Sequence, residues 1–163
     1  MTKNFTQYAF TPTVKDLQSR YKSRPAYERM EKSGDRYILG AGEAAFIQSR
    51  TSFYLSTIGE NGWPYLQHRG GPSGFFKIID ATTLRFADYT GNRQYISTGN
   101  ILDNEKTCLF LMDYPKQQRL KIWANATVQF ADDVPELAEQ LQEDEYSAKI
   151  ERVFTFNIQG FDW

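Results

Sequence analysis

From Phe53 onward the chain is a succession of short alternating apolar runs broken by turn residues, and this pattern constrains the fold more than any other feature. Residues 53–58 read as a strand, Gly59-Glu60-Asn61-Gly62 as a hairpin turn that tolerates positive φ, and 63–69 as the returning strand. Residues 75–79 and 84–87 form a second hairpin across Asp80-Ala81-Thr82-Thr83. A buried strand over 107–112, a turn over 115–118 and a long strand over 120–130 follow, and 153–158 alternates like a half-buried strand. Helical patterns are inserted at 93–101 and after Asp133, which is placed to cap a helix with Val134, Leu137, Ala138 and Leu141 on one face. Six or seven strands with few parallel crossovers predict a mainly β, antiparallel fold with peripheral helices. Closing that sheet into a small barrel removes exposed edges, and the long strand over 120–130 can bend to serve both sides.

The first 50 residues differ. Val14, Leu17 and Tyr21 stand at helical spacing, Ser23-Arg24-Pro25 interrupts the pattern, and Ser33-Gly34-Asp35 closes it. A short helix over 43–50 buries Ala44, Phe46 and Ile47. Residues 1–50 therefore read as a helical arm packed on the barrel or on a partner subunit, within one domain spanning 1–163. A chain of 163 residues can bury its own core without metal or disulfide staples.

Composition narrows the function. Aromatics make up 15% of the chain, with 12 Phe and 10 Tyr, which suits a β-rich core and flat stacking surfaces. A net charge of -1 argues against a general nucleic-acid surface. The single Cys108 excludes a disulfide within the chain and points to a reducing, cytoplasmic setting. The opening Met1-Thr2-Lys3-Asn4-Phe5 is polar and unlike a secretory signal, and no window approaches the roughly 18 apolar residues of a membrane span. Phe161-Asp162-Trp163 closes the chain without a polar tail, which suggests a truncation.

Three clusters carry chemistry. Gly91-Asn92-Arg93-Gln94 lies where a strand passes into a helix, so free backbone N–H groups and the helix dipole would favour a phosphate there. Arg93 can add a bidentate contact, and Asn92 and Gln94 amide donors. The bland alternative is an Asn-capped helix with Arg93 in solvent. Gln67-His68-Arg69 closes a strand flanked by Tyr65-Leu66 and Phe75-Phe76, and Gly70-Gly71 let backbone approach a flat ligand. Taken alone, His68 reads equally as a histidine bonded to backbone. Arg119 and Lys121 share one face of the long strand with Trp123, either as a solvated basic face or as a ligand or subunit contact. Glu143, Asp144 and Glu145 read as a solvated, charged helix end. One His and one Cys give no metal-ligand spacing, and neither Gly-x-Ser-x-Gly nor Gly-x-Gly-x-x-Gly occurs.

At these residues the chain resembles the pyridoxamine 5'-phosphate oxidase-like family of FMN-binding split barrels, and within it the bacterial flavin-nucleotide-binding branch. The blocks are 67–72, 86–97, 109–115, 119–123 and 161–163, in that order, and the likeness runs from about Phe10 to Trp163. The resemblance implies a homodimer with FMN at the subunit interface and, if catalytic, hydride exchange with a small molecule or nicotinamide. It places Arg93 in the phosphate turn, with Asn92 and Gln94 as substitutions, and Ala87 and Asp88 where strand residues line the flavin. Gln67, His68 and Arg69 would run along the ring, which would lie near His68 to Gly71, Gly70 included. Arg119 would reach it from the partner, and Lys121, like Arg69, could offset negative charge on the reduced ring. The family's oxidases bind pyridoxal phosphate through a C-terminal segment that this chain does not contain, so their substrate does not transfer. A non-catalytic flavin carrier or redox sensor, and a haem or deazaflavin protein, remain as alternatives.

Overall fold

The computed structural model describes residues 3–143 and 146–163, which leaves Met1, Thr2, Asp144 and Glu145 outside it. Seven antiparallel strands form one sheet. They are β1 (Ser52–Ile58), β2 (Pro64–Gly70), β3 (Lys77–Asp80), β4 (Thr83–Tyr89), β5 (Lys106–Asp113), β6 (Gln118–Phe130) and β7 (Ile150–Asp162), in the order β2-β1-β5-β6-β7-β4-β3. The edge strands β2 and β3 are not hydrogen-bonded to each other, so the barrel is split along one side. The expected antiparallel split barrel with peripheral helices is the fold observed.

The period-2 pattern explains the curl. Phe53 and Leu55 of β1, Leu109 and Leu111 of β5, Leu120 and Ile122 of β6, Phe154 and Phe156 of β7 and Phe86 of β4 all enter one core. Its centre is aromatic: Phe53 stacks on Phe76 with ring centroids 4.6 Å apart, and Phe86 on Phe154 at 4.9 Å. Such pairs contribute about 0.5–1.5 kcal/mol each beyond area burial. β7 was expected to be half-buried, yet Val153 and Thr155 are buried too. The outer face of Val153 is covered by Ala131, Ala138 and Leu141 from the turn at Ala131–Asp133 and the helix Pro135–Gln140. That helix starts at Pro135 with no side-chain cap, so Asp133 does not cap it as expected; Asp133 ends the preceding 3-10 turn instead.

Four helices precede the sheet: α1 (Thr6–Ala9), α2 (Pro12–Arg20), α3 (Arg24–Glu31) and α4 (Ala41–Gln48). Thr11 caps α2 by accepting from Val14 N, and Pro12 supplies the favoured first position. The arm packs on its own barrel. Phe5 stacks on Trp123 at 5.3 Å, Arg36 N donates to Lys3 O at 2.8 Å, and Phe161 N donates to Arg36 O at 2.8 Å. Trp123 is thus a docking platform for the chain's own arm. None of the described helices is long and apolar enough to cross a membrane.

The arm fits because position 160 lacks a side chain. A Cβ on Gly160 would lie 2.5 Å from Phe5 N and 2.7 Å from Phe5 Cα. Backbone on both sides leaves little room to yield, and overpacking of this kind costs about 1–3 kcal/mol. Gly160→Ala should lower the unfolding free energy measured in urea by that amount and so lower the midpoint, and an unchanged midpoint would show that the arm is not docked this way.

Candidate functional site

Two adjoining chambers open at the split, between β2 and the part of β4 beyond its pairing with β3. The larger, of about 370 Å³, is bounded by residues 68–72, Phe75, residues 86–90, Leu141, Glu143 and Tyr146. The smaller, of about 230 Å³, is bounded by Tyr65, Gln67, Arg69, residues 91–98 and Arg152. Arg69, Asp88 and Tyr89 belong to both walls. Strand alternation explains the sorting: Gln67 and Arg69 of β2 share a face with Tyr65, while Leu66 and His68 turn outward. His68 is exposed beside Tyr54, 5.6 Å between rings, and reaches only the rim of the larger chamber.

At the junction one carboxylate holds two guanidinium groups. Arg69 Nη1 donates to Asp88 Oδ1 at 2.5 Å, and Arg152 approaches Asp88 Oδ2 through Nε at 2.8 Å and Nη2 at 2.6 Å. Burial alone would lower the Arg152 pKa, but the hydrogen bonds and charge of Asp88 outweigh it and hold the guanidinium above its usual value. Arg69 lies 5.6 Å from the Phe86 ring and 5.3 Å from the Phe154 ring, and Arg152 lies 4.8 Å over Tyr95. Arg69 Nε is buried without a partner among the described residues. It is a spare donor at the wall common to both chambers.

The turn after β4 is built differently from its expected form. The helix α5 runs Ile96–Asp103, three residues later than Arg93, because Arg93 and Tyr95 both take φ of 57°. Left-handed backbone at two non-glycine residues interrupts the helix and is itself costly. Asn92 Oδ1 accepts from Gln94 N at 3.2 Å, so Asn92 shapes the loop and does not cap the helix. No side chain caps α5, which leaves its first-turn N–H groups open on the smaller chamber that Ile96, Ser97 and Thr98 line. Ser97 Oγ donates to Gln67 Oε1 at 2.7 Å, tying the helix start to β2.

The structure gathers Gln67, Arg69, Asp88, Asn92, Arg93 and Gln94 around the smaller chamber, and His68, Arg69, Gly70, Gly71, Ala87 and Asp88 around the larger. A Cβ on Gly71 would fall 2.6 Å from Phe75 Cγ, so the bare backbone there also makes room for the chain's own ring. Arg119 and Lys121 are not brought to either chamber; they lie on the outer face of β6, Lys121 paired with Asp162 at 2.9 Å. Glu143 was read as solvated, yet it is half-buried at the larger chamber and pairs with Lys77 at 2.7 Å. Sequence reasoning missed Tyr95, Ser97, Thr98 and Arg152. Only Arg152 carried a signal, a charge set against Ile150 and Val153 in an apolar strand. Among the described residues no His, Cys, Asp or Glu cluster suits a metal ion.

The ion triad makes a sharp prediction. Asp88→Asn keeps the shape but leaves Arg69 without a counter-charge among the described residues and Arg152 with Glu151 alone, a change that typically costs about 3–5 kcal/mol. Urea unfolding should show a loss of that order, and a loss below about 1 kcal/mol would mean that water already neutralises the pair.

With this geometry in place, three comparisons bear on identity. A family model described as pyridoxamine 5'-phosphate oxidase matches residues 42–159. No curated protein matches the chain in sequence. Among solved structures, a variant of HupZ from Group A Streptococcus superposes with a TM-score of 0.63 at 14% identity, covering 77% of this chain and 98% of its own. A protein assigned as a pyridoxamine 5'-phosphate oxidase, from Lactobacillus delbrueckii, gives 0.60 at 20% identity, with 78% and 95% covered. An FMN-binding protein from Syntrophomonas wolfei gives 0.53 at 13% identity, with 89% and 94% covered. At such identities the structural likenesses speak for the fold alone. The family model spans well over half of the chain, and on that ground the chain belongs to the pyridoxamine 5'-phosphate oxidase-like family of split barrels.

Proposed function

We propose that this protein binds FMN and is an oxidoreductase acting on a small molecule. The observation that carries the reading is the uncapped start of α5, which opens with Arg93, Ser97 and Thr98 on a chamber continuous in its walls with a larger, aromatic-sided one. Backbone N–H groups and Arg93 would hold the phosphate. The ring would lie toward His68 to Gly71 in the larger chamber, where Phe75, Phe86 and Tyr89 supply flat walls. The fit is chemical as well as spatial: the spare Nε of Arg69 is a cationic donor at the shared wall, suited to an electron-rich heterocycle edge. Bound flavin would supply hydride and electron transfer; the chain's residues would bind, orient and shield it.

The reading includes a homodimer, which the outer face of β1, β2, β5 and β6 supports. Leu66, Tyr54, Phe110 and Met112 lie there beside Arg119 and Lys121, and Leu66 and Tyr114 are largely exposed. Pairing two such faces would cover them and could bring Arg119 or Lys121 to the partner's cleft. Light scattering during size exclusion should report a two-chain species, whereas a monomer that retains FMN would remove this part of the reading.

A second reading, a non-catalytic flavin carrier or redox sensor, is favoured by Asp88. The carboxylate common to both chambers is held by two arginines and is not free to act as a base. Oxidation of NADH or NADPH with added acceptors separates the two. A haem or deazaflavin in the same cleft is the weaker alternative, since His68 sits at the rim and the donor-rich turn suits a phosphate. Arg93→Ala should weaken FMN binding at least tenfold by fluorescence titration, and unchanged affinity would place the phosphate elsewhere.

A further inference from the structure

Ser97 is the second residue of α5 and is only 1% exposed. Short polar side chains at a helix start ordinarily bond back to their own helix. The Ser97 bond runs outward instead: Oγ donates to Gln67 Oε1 on β2, 30 positions earlier. One turn further on, Asn100 Nδ2 donates to Thr57 Oγ1 on β1 at 2.9 Å, and Thr57 is fully buried. Asn100 thus anchors α5 to the sheet, and the Ser97 bond adds an orientation to that anchor. An amide side chain carries an acceptor on one side and a two-hydrogen donor on the other, so what holds the oxygen decides where the nitrogen faces. With Oε1 held by Ser97, Gln67 Nε2 has no partner among the described residues, and both residues line the smaller chamber. Strand alternation keeps Gln67 half-buried on that side of β2. Of the other donors there, Arg69 Nη1 and Arg152 are already engaged by Asp88.

We propose that Ser97 is a positioning residue. By holding the Gln67 amide with its nitrogen toward the smaller chamber, it makes Gln67 a donor to a phosphate oxygen, and the pair sets the preference of the cleft for a phosphorylated flavin over the unphosphorylated one. The inference rests on the flavin reading above and deepens it. A hydrogen bond to a charged oxygen is worth more than one to a neutral oxygen, so a fixed amide donor favours a phosphate over the hydroxyl that ends the riboflavin side chain. The amide is neutral, and leaving it open in the empty chamber costs less than burying another unpaired cation would. Glutamate at position 67 would accept from Ser97 equally well. It would then turn a second, negatively charged acceptor on the phosphate, which reverses the sign of the interaction.

The test is fluorescence titration of the purified chain with FMN and with riboflavin, repeated for Ser97→Ala, Ser97→Thr and Gln67→Glu, with urea unfolding of each variant. Ser97→Ala should weaken FMN about fivefold, and Ser97→Thr, which keeps the hydroxyl, should hold it within about twofold. Gln67→Glu should weaken FMN by about thirtyfold or more. Riboflavin should stay within about twofold throughout. The ratio of the two affinities therefore carries the result, because a general loosening of the fold weakens both flavins alike. Equal losses of the two in Ser97→Ala, or an unchanged FMN affinity there, would overturn the positioning role and leave the flavin reading intact. So would equal binding of FMN and riboflavin by the unaltered chain, or a Ser97→Thr chain that unfolds at the usual midpoint yet loses the preference. An unaltered chain that binds neither flavin would sink both readings.

Discussion

The buried bridge from Arg69 through Asp88 to Arg152 is the interaction on which the rest of this structure depends. The sheet leaves β2 and β3 as unpaired edges, so backbone hydrogen bonds do not close the barrel on that side. Asp88 on β4 reaches Arg69 on β2 across the opening and Arg152 on β7 beside it. Charge thus ties together strands that the ladder leaves apart, and the two chambers exist because the tie is made by side chains rather than by a continuous strand. The arrangement is expensive. Two cations and a carboxylate lose most of their water, and an apolar replacement of similar volume could be as stable. Retaining them makes physical sense where a charged, donor-rich wall serves a ligand.

A second cost lies in the loop after β4, where Arg93 and Tyr95 adopt left-handed backbone. That strain delays the helix and leaves its first N–H groups without a side-chain cap. An ordinary helix start would have carried Ser, Thr or Asp at the cap and satisfied those donors locally. Strain, uncapped donors and a buried charge network meet within one cleft, while the aromatic core directly behind it, at Phe75 and Phe86, is ordinary. This contrast is what a fold shows when local rules are relaxed around a site.

Much of this was legible in the residues. Alternation over 53–58 and 120–130 and the turn at Gly59 to Gly62 give the strands nearly as observed, because half-buried strands write their geometry with period 2. The phosphate turn and the polar end of β2 were visible as clusters. What could not be read depends on contacts between distant positions. Val153 looks solvent-facing until the helix Pro135–Gln140 and its flanking turn cover it, and Thr155 until Arg85 Nε donates to its Oγ1. That Gly71 also makes room for the Phe75 ring shows only in the fold. Trp123 suggests a partner until Phe5 stacks on it from more than a hundred residues away. Arg152 gains its meaning only from Asp88, 64 positions earlier. The late start of α5 was hidden because positive φ at Arg93 and Tyr95 is not a property of those residue types.

The central claim is that the split between β2 and β4 holds a flavin nucleotide. Its most direct test is the visible absorbance of the purified chain after FMN is added and the excess is removed by desalting. A flavin spectrum that stays with the protein, shifted from that of free FMN and approaching one flavin per chain, is the result this structure predicts. A colourless protein that returns all of the added FMN in the small-molecule fraction would contradict it.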